Sequence, residues 1–271
     1  MALKGIDVSY ANNGIDWSQV KSNIDFAILR SSFGSDLPSQ TDNQFHQNAA
    51  GCKRYNIPFG IYHFAYFVDK ATAEGEANFA IRLANEYKGY VKFIALDIEE
   101  DSETYAKRIG RNPDWTECAI AFMEKIKKAG YTPVLYSNQN WLTNYLDYNK
   151  IKTYKIWYAA PGASAPKYNA AIWQYDWEGK VPGIFGDVDM NYLYDESLIK
   201  NSTSSSSNTK TATATVVSNK EKFLTQARTY IGVNGDYVCN NKLKLGAIYD
   251  WCAFAVSSIM KDCGFLNKYI K

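Results

Sequence analysis

Eight short runs rich in β-branched and aromatic residues limit the folds that this chain can adopt. The runs cover residues 4–8, 26–30, 59–63, 93–99, 133–136, 155–159, 171–175 and 187–192, and their length and composition predict strands. Amphipathic spacing predicts helices over 40–55, 71–86 and 116–129, whereas the later runs have short connections with little helix. Strands that alternate with helices form a parallel sheet of the α/β class, and eight of them predict an irregular barrel.

The fourth run ends in two acids, Asp97 and Glu99, after an apolar stretch. Because side chains alternate along a strand, the sequence predicts that both acids point the same way, roughly 6–7 Å apart. Two neighbouring carboxyls cannot ionise independently, so the pKa of one is raised. Hydrolysis of a glycosidic bond uses such a protonated acid beside an anion. An acidic strand end that simply faces solvent is the alternative interpretation.

Acids also mark the ends of two other predicted strands. Asp7 ends the first strand, and Asp187 and Asp189 lie in the last. The first and last strands are neighbours in a closed barrel, and the active residues of such barrels lie where the strands end. The sequence therefore predicts an acidic cluster at one rim, with a chance coincidence of strand-end acids as the alternative.

A Ser/Thr-rich stretch without bulky apolar residues divides the chain. We predict a barrel domain over residues 1–200, a flexible linker over 201–219 and a short, mainly helical segment over 220–271. The 271 residues are 46% hydrophobic and carry a net charge of +2, which predicts a large core and no nucleic-acid partner. The five cysteines match no zinc spacing, and two histidines are too few for a His-rich metal site.

The sequence shows no pattern typical of a membrane or secretion signal. No apolar run reaches the length of a membrane span, and the N-terminus lacks a signal-peptide pattern. The sequence therefore predicts synthesis in the cytoplasm, no membrane insertion, and release by another agent for any action outside the cell. It predicts no cofactor and no metal, and it leaves the oligomeric state open.

Many segments of the first domain match one enzyme family in the family's order. They are Gly5-Ile6-Asp7-Val8-Ser9, Ile15-Asp16-Trp17, Phe26-Ala27-Ile28-Leu29-Arg30, Gly60-Ile61-Tyr62-His63-Phe64, Leu96-Asp97-Ile98-Glu99, Val134-Leu135-Tyr136-Ser137, Ile172-Trp173-Gln174-Tyr175 and Val188-Asp189-Met190-Asn191. Over residues 4–195 the chain resembles family 25 glycoside hydrolases, the Chalaropsis-type lysozymes of phage endolysins and bacterial autolysins. The resemblance implies a (β/α)5(β)3 TIM-like barrel. It also implies hydrolysis of the β-1,4 bond between N-acetylmuramic acid and N-acetylglucosamine in peptidoglycan.

The same resemblance implies roles for the acids. Glu99 would be the general acid, Asp97 would orient the substrate or stabilise positive charge, and Asp7 and Asp189 would complete the cluster. Net retention is implied, with the substrate's own acetamido group as nucleophile. Apart from the family, Glu99 needs a pKa near neutrality to hold a proton for transfer. We expect burial and an ionised Asp97 to raise it.

Other polar and aromatic side chains near strand ends are candidates for substrate binding. The set comprises Tyr62, Tyr136, Trp173, Gln174 and Tyr175. Aromatic faces stack on sugars, but aromatic residues also fill barrel cores, so both interpretations stay open. His63 is interpreted as structural and bonded to a carboxylate. The acids Glu100, Asp101 and Glu103 are interpreted as a solvated loop.

The C-terminal segment has a second, weaker resemblance. Residues 250–257, which include Cys252, resemble the nucleophile helix of cysteine-, histidine-dependent amidohydrolase/peptidase domains. No histidine follows Cys252 in the sequence, and a cysteine without a base is a weak catalyst. We therefore interpret the segment as a truncated or degenerate domain with Cys252 as a vestigial nucleophile.

Three functions remain open at this stage. The leading hypothesis is an N-acetylmuramidase that lyses bacterial cell walls, from a phage or prophage rather than a host autolysin. A non-catalytic glycan-binding barrel is the alternative, although binding needs no paired acid. A third hypothesis makes the acidic cluster a metal site, because carboxylates suit magnesium or calcium.

Overall fold

Eight strands close into a barrel in the computed structural model, which describes residues 2–200. They are β1 (Leu3–Val8), β2 (Phe26–Phe33), β3 (Phe59–Phe64), β4 (Val91–Asp97), β5 (Thr132–Asn138), β6 (Lys155–Ala159), β7 (Ile172–Gly179) and β8 (Val188–Leu193). The strands follow one another around the barrel in chain order. The predicted irregular α/β barrel is therefore confirmed. The predicted linker over 201–219 and the segment over 220–271 lie outside the described residues.

Seven helices connect these strands within residues 2–200. They are α1 (Trp17–Val20), α2 (Phe45–Arg54), α3 (Lys70–Glu86), α4 (Glu100–Arg108), α5 (Trp115–Lys128), α6 (Gln139–Asn144) and α7 (Tyr148–Ile151), with 3₁₀ turns at Pro38–Gln40 and Glu196–Leu198. None of the seven combines the length and the apolar character that a membrane span requires.

The three predicted helices correspond to α2, α3 and α5, but one further helix contradicts the sequence interpretation. Glu100, Asp101 and Glu103 lie in the first turn of α4, so their interpretation as a solvated loop is wrong. Acidic side chains are favourable at a helix N-terminus because of the helix dipole. The inner side of α4 is anchored by Ser102 and Ala106, which are buried. Because five of the nine residues of α4 are polar and exposed, the sequence gives little sign of this short buried contact.

The last strand makes the barrel irregular. Strands β1 to β7 are parallel to their neighbours in the series. β8 is antiparallel to both β7 and β1, so it needs only a hairpin connection rather than a crossover helix. An antiparallel strand starts at the edge where its parallel neighbours end. The first residues of β8 therefore reach the same rim as the last residues of β1 and β4.

Small and large residues interlock in the barrel interior. Gly5 faces the ring of Phe26, and a Cβ atom at position 5 would lie 2.5 Å from that ring. Gly60 faces Phe93 in the same way, at 2.3 Å. Both phenylalanines are fully buried. Interiors are packed to crystal-like density, so these glycines provide the space that two aromatic rings occupy beneath the acidic rim.

A buried polar chain ties β2 and β3 to α3 on the outside of the barrel. Ser32 Oγ lies 2.8 Å from His63 Nδ1, and His63 Nε2 lies 2.9 Å from Glu76 Oε2. Glu76 Oε2 also accepts the backbone N–H of Tyr66. The order serine, histidine, acid resembles a hydrolytic triad, but all three residues are buried. No polymer can reach them, and the structural interpretation of His63 fits these contacts.

The interlocking of Gly60 with Phe93 predicts a stability difference between two glycine substitutions. Gly60→Ala is expected to lower the free energy of unfolding by about 1–3 kcal/mol, because overpacking forces the ring or the strand to move. Gly75→Ala is the matched control, since Gly75 lies within α3 with open space around its missing Cβ. That change is expected to stabilise by about 0.5–1 kcal/mol. Urea unfolding of both variants measures the difference, and equal effects would contradict the packing argument.

Candidate active site

Four carboxyl side chains meet at one rim of the barrel. Asp7 on β1 is the direct register partner of Asp189 on β8, and Asp97 is the last residue of β4. Glu99 follows two residues later. The charges of Asp97, Glu99 and Asp189 each interact with Asp7. The structure therefore brings together all four acids that the sequence singled out. Asp187, in contrast, is exposed and paired with Lys180.

Glu99 reaches this cluster by a different route from the one predicted. β4 ends at Asp97, and Glu99 is the N-cap residue of α4 with extended backbone angles. Its N–H donates to Ser102 Oγ at 3.3 Å, and its carbonyl accepts the N–H of Ser102 at 2.9 Å. The side-chain orientation of Glu99 is thus set by a helix start and not by strand alternation.

Neutral hydrogen-bond donors hold Asp7 in place. Asp7 Oδ2 accepts from Gln174 Nε2 at 2.9 Å and from Asn191 Nδ2 at 2.8 Å. Gln174 Nε2 also lies 3.4 Å from Asp189 Oδ2. The hydroxyl of Tyr136 donates to Gln174 Oε1 at 2.9 Å. Gln174, one of the predicted substrate-binding residues, is therefore a link between an aromatic residue and two acids.

Burial raises the pKa of every acid in the cluster. Burial, followed by the charges of Glu100, Asp101 and Asp7, raises the pKa of Glu99 to about 7. Burial and the charge of Asp7 raise the pKa of Asp189 to about 8. The cluster therefore keeps protons at neutral pH, because desolvation and like charges both disfavour the ionised forms.

The two remaining acids differ in how their charge is offset. Burial raises the pKa of Asp7 to about 6, while hydrogen bonds from Asn191 and Gln174 act in the opposite direction. Burial, followed by the charges of Glu99 and Asp7, raises the pKa of Asp97 well above its usual range. The sequence led us to expect an ionised Asp97 in a supporting role. In the structure, burial and the neighbouring acids instead favour its protonated form at rest, and the charge of Arg30 opposes them only in part.

One oxygen of Asp97 is available for a new contact. Asp97 is 5% exposed. Its Oδ1 atom is buried, and no hydrogen bond to it is formed by any protein group among residues 2–200. Leaving a buried acceptor unpaired costs about 1–3 kcal/mol. A ligand N–H or O–H that enters the cluster would satisfy this atom.

Two predicted aromatic residues lie directly under the acids. Tyr62 and Tyr136 both pack edge-on against Trp157, with ring centroids 5.9 and 4.5 Å away. Burial, followed by the charges of nearby acids, raises the pKa of both phenols well above its usual value. Both hydroxyls therefore stay protonated at the base of the site, where that of Tyr136 already donates to Gln174.

Two other predicted aromatic residues lie elsewhere. Alternation along β7 directs Gln174 inward, so Trp173 and Tyr175 lie on the outer face of the strand. Tyr175 stacks on Tyr192 of β8 at 4.3 Å, and Trp173 Nε1 donates to the carbonyl of Ala160. The structure thus does not bring Trp173 and Tyr175 to the acids, and their contacts are those of outer-core packing. Cys252 lies outside the described residues.

Sequence reasoning missed four side chains around the cluster. Asn191 bonds Asp7, and Trp157 Nε1 donates to Asn191 Oδ1 at 2.7 Å. Arg30, within β2, pairs with Asp42 at 2.6 Å. Trp177 is 53% exposed, and its Nε1 donates to Gln174 Oε1 at 2.8 Å. Asn191 had a signal in the sequence, since it lies two residues after Asp189 and therefore shares its face of β8.

The raised pKa of Glu99 predicts a pH-dependent stability. The ordinary pKa of a glutamate is 4.5, and that of Glu99 is about 7. Between these values the folded state binds the proton more tightly than the unfolded state, so stability falls as the pH rises through this interval. Glu99→Gln removes this loss. We expect it to stabilise the protein by roughly 1–3 kcal/mol at pH 8 and by much less at pH 4.5.

The neighbouring residue provides a control of opposite sign. Burial raises the pKa of Glu100, but hydrogen bonds from Asn140 and Asn138 outweigh burial, so the pKa lies below its usual value. Glu100→Gln is therefore expected to destabilise the protein at pH 8, because it removes a carboxylate that the folded state favours. Urea unfolding at pH 4.5 and pH 8 measures both variants. A Glu99→Gln variant with the same stability change at both pH values would contradict the argument.

Comparison with known proteins gives a family match for the barrel. Residues 6–184 match the model of the glycosyl hydrolases family 25. The chain is 32% identical over 151 residues to a D-alanyl-L-alanine endopeptidase from Streptococcus phage B30, covering 50% of this chain and 31% of that protein. It is 36% identical over 97 residues to a lysozyme from Streptococcus phage Cp-9, covering 35% and 26%.

A solved structure shows the same fold. The modular autolysin LytC from Streptococcus pneumoniae, in complex with synthetic peptidoglycan ligand, superposes with a TM-score of 0.62 and 28% identity. The match covers 71% of this chain and 47% of LytC. The chain thus spans less than half the length of each of these three relatives. With a family match over residues 6–184 and the four-acid rim in place, the chain belongs to the glycosyl hydrolases family 25.

Proposed function

We propose that this protein is an N-acetylmuramidase, a lysozyme that hydrolyses the β-1,4 bond between N-acetylmuramic acid and N-acetylglucosamine in peptidoglycan. The observation that carries the proposal is Glu99, a carboxyl group with a pKa of about 7 at a rim shared by three further buried or half-buried acids. A general acid works best when its pKa lies near the working pH. Family membership and the lysozyme among its relatives support the same reaction.

Glu99 has the proton that the first step requires. In the proposed mechanism its carboxyl group donates that proton to the glycosidic oxygen as the bond to the sugar breaks. The acetamido oxygen of the substrate then bonds to the sugar carbon, and water opens the resulting ring while Glu99 takes a proton back. Each of the two steps inverts the configuration at the sugar carbon, so the product retains the original configuration.

Asp97 is suited to assist the acetamido group. Its buried Oδ1 lacks a protein partner among residues 2–200, and an acetamide N–H is a donor of the right kind. This hydrogen bond would hold the acetamido oxygen towards the sugar carbon. The positive charge that develops on the sugar also favours the anionic form of Asp97, which burial otherwise disfavours.

Asp7 and Asp189 complete the cluster, and Asp7, with a pKa of about 6, is ionised at neutral pH whereas Asp189, with a pKa of about 8, keeps its proton. The register pairing of these residues keeps both carboxyls at the rim, and the amides of Gln174 and Asn191 fix the orientation of Asp7. Because these donors are already in place, no reorganisation is needed when positive charge develops in the transition state. Tyr62 supplies a hydroxyl donor at the base of the site, and the hydroxyl of Tyr136 holds Gln174 in place.

Two alternatives predict different behaviour. A non-catalytic glycan-binding barrel would bind walls without releasing reducing ends, and it gives no reason for four acids with raised pKa. A metal-dependent hydrolase would lose activity in a chelator. Among residues 2–200, no three histidine, cysteine or acidic side chains are arranged so that they could share a metal ion.

Glu99→Gln tests the proposed general acid. We expect the release of reducing ends from purified peptidoglycan to fall by about 100- to 10,000-fold, because general acid catalysis contributes that much. Wild-type activity is expected to decline above about pH 7 as Glu99 loses its proton. Glu103→Gln is the control on the same helix, since Glu103 pairs with Lys107 at 2.6 Å, and it should keep wild-type activity.

Each alternative has a distinct outcome in this assay. A Glu99→Gln variant with near wild-type turnover would remove Glu99 from the mechanism. Loss of wild-type activity in EDTA would favour a metal, and wall binding without cleavage would favour the glycan-binding module. Identification of the released ends separates a muramidase, which leaves a muramic acid reducing end, from a glucosaminidase.

The proposed site of action is the bacterial cell wall, after release of the protein from the cell in which it is made. The phage origin of two of its relatives favours a phage or prophage lysin over a host autolysin. The net charge of +2 is compatible with an anionic wall surface.

We also propose that residues 1–200 form the catalytic unit. The barrel is closed by pairing of β8 with β1, and all four acids precede residue 190. Deletion of residues 201–271 is therefore expected to leave turnover on soluble glycan fragments within about twofold of the full chain, because no element of the barrel is removed. The measurement is reducing-end release by both proteins at equal concentration. A large loss of turnover with an intact fold would contradict the proposal.

A further inference from the structure

Two adjoining cavities lie across the ends of β2 and β3, at the end of the barrel that also carries the acids. The first has a volume of about 410 Å³ and the second about 380 Å³. They share Phe33, Tyr66 and Asp101 as walls. Asp101 lies two residues after Glu99, and its charge helps to raise the pKa of Glu99. The two cavities therefore adjoin along these shared walls, and the charge of one wall residue, Asp101, acts on the proposed general acid.

The cation of the first cavity is neutralised by an ion pair. This cation, Arg30, pairs with the buried carboxylate of Asp42 at 2.6 Å. The guanidinium of Arg30 also lies over the ring of Tyr10, 4.4 Å from its centroid. A paired cation among aromatic walls suits an uncharged N-acetyl sugar, which offers an apolar face and amide groups.

The second cavity contains a cation of a different kind. Arg108 is the last residue of α4 and lies over the ring of Tyr105, 5.4 Å from its centroid. Among residues 2–200, no carboxylate lies within salt-bridge distance of it. The exposed guanidinium therefore has its fork of N–H donors free, and this fork matches a carboxylate with two parallel hydrogen bonds.

Asp101 and Arg108 place opposite charges at the two ends of this second cavity. They are seven residues apart on one helix, which corresponds to about 10.5 Å along the axis. A glycan of N-acetyl sugars would use neither charge. The peptide that peptidoglycan carries on its muramic acid residues has carboxylates and an amino group along a short chain, so it can use both.

We propose that the second cavity binds the stem peptide of peptidoglycan and that Arg108 holds a carboxylate of that peptide. This inference rests on the proposed muramidase function and deepens it. The glycan strand lies across the acids and the first cavity, and the peptide branch lies along α4. Arg108 is then a specificity residue that distinguishes peptide-bearing strands from bare ones.

The test compares two substrates made from one wall preparation. One retains its stem peptides, and the other has been stripped of them by an amidase, with the lactyl carboxylates that this hydrolysis frees then capped as neutral amides. For wild-type protein we expect a higher kcat/KM on the peptide-bearing strands. Arg108→Ala is expected to lower kcat/KM about tenfold on those strands, the effect of losing one charge-assisted contact, and to leave kcat/KM on stripped strands unchanged.

Arg54→Ala is the matched control. Arg54 is also the last residue of a helix, α2, and its guanidinium lies 5.6 Å from the centroid of the Tyr55 ring, but it lines neither cavity. The Arg54→Ala substitution removes the same charge, and we expect it to change kcat/KM little on either substrate. The inference would be overturned if Arg108→Ala lowered kcat/KM equally on both substrates or on neither. It would also be overturned if Arg54→Ala lowered kcat/KM on the peptide-bearing strands alone. A wild-type protein that releases reducing ends from neither substrate would instead overturn the proposed function.

Discussion

The antiparallel pairing of β8 with β1 is the interaction on which the site depends. It closes the barrel, and its register places Asp189 directly opposite Asp7. Because β8 runs against its neighbours, it begins at the rim where β1 and β4 end. A barrel of eight parallel strands would bring the end of its last strand to this rim and would need another crossover helix. The same pairing therefore sets both the closure of the fold and the composition of the acidic cluster.

Burial of the acids destabilises their ionised forms, and this raises their pKa values towards neutral pH. Neutral amides from Gln174 and Asn191 satisfy Asp7 without cancelling the negative field. The cation near the site, Arg30, is itself paired with Asp42. The cluster therefore keeps raised pKa values instead of the low values that a salt bridge would impose. Desolvation keeps the proton on Glu99 near neutral pH, and the same desolvation lowers the stability of the folded protein.

In the proposed mode of substrate binding, the site divides into an acidic region and a region with an unpaired cation. The acids and the first cavity offer an anionic cluster, a paired arginine and aromatic walls, which suit a sugar that gains positive charge during cleavage. The second cavity adds Arg108, whose charge has no function towards an uncharged sugar. The short helix α4 connects the two regions, since Glu99 caps its beginning and Arg108 ends it.

Alternating strand and helix patterns in the sequence determined the α/β barrel, and strand-end acids marked Asp7, Asp97, Glu99 and Asp189, because hydrophobic periodicity and acid spacing are local properties. The sequence did not determine which face of β7 turns inward, and so it grouped Trp173 and Tyr175 with Gln174. It also assigned Glu99 to a strand, although a helix start positions it. Only the tertiary structure decided these points and revealed Asn191, Trp157 and Arg30, because strand register and the closure of the barrel join residues that are far apart in the chain.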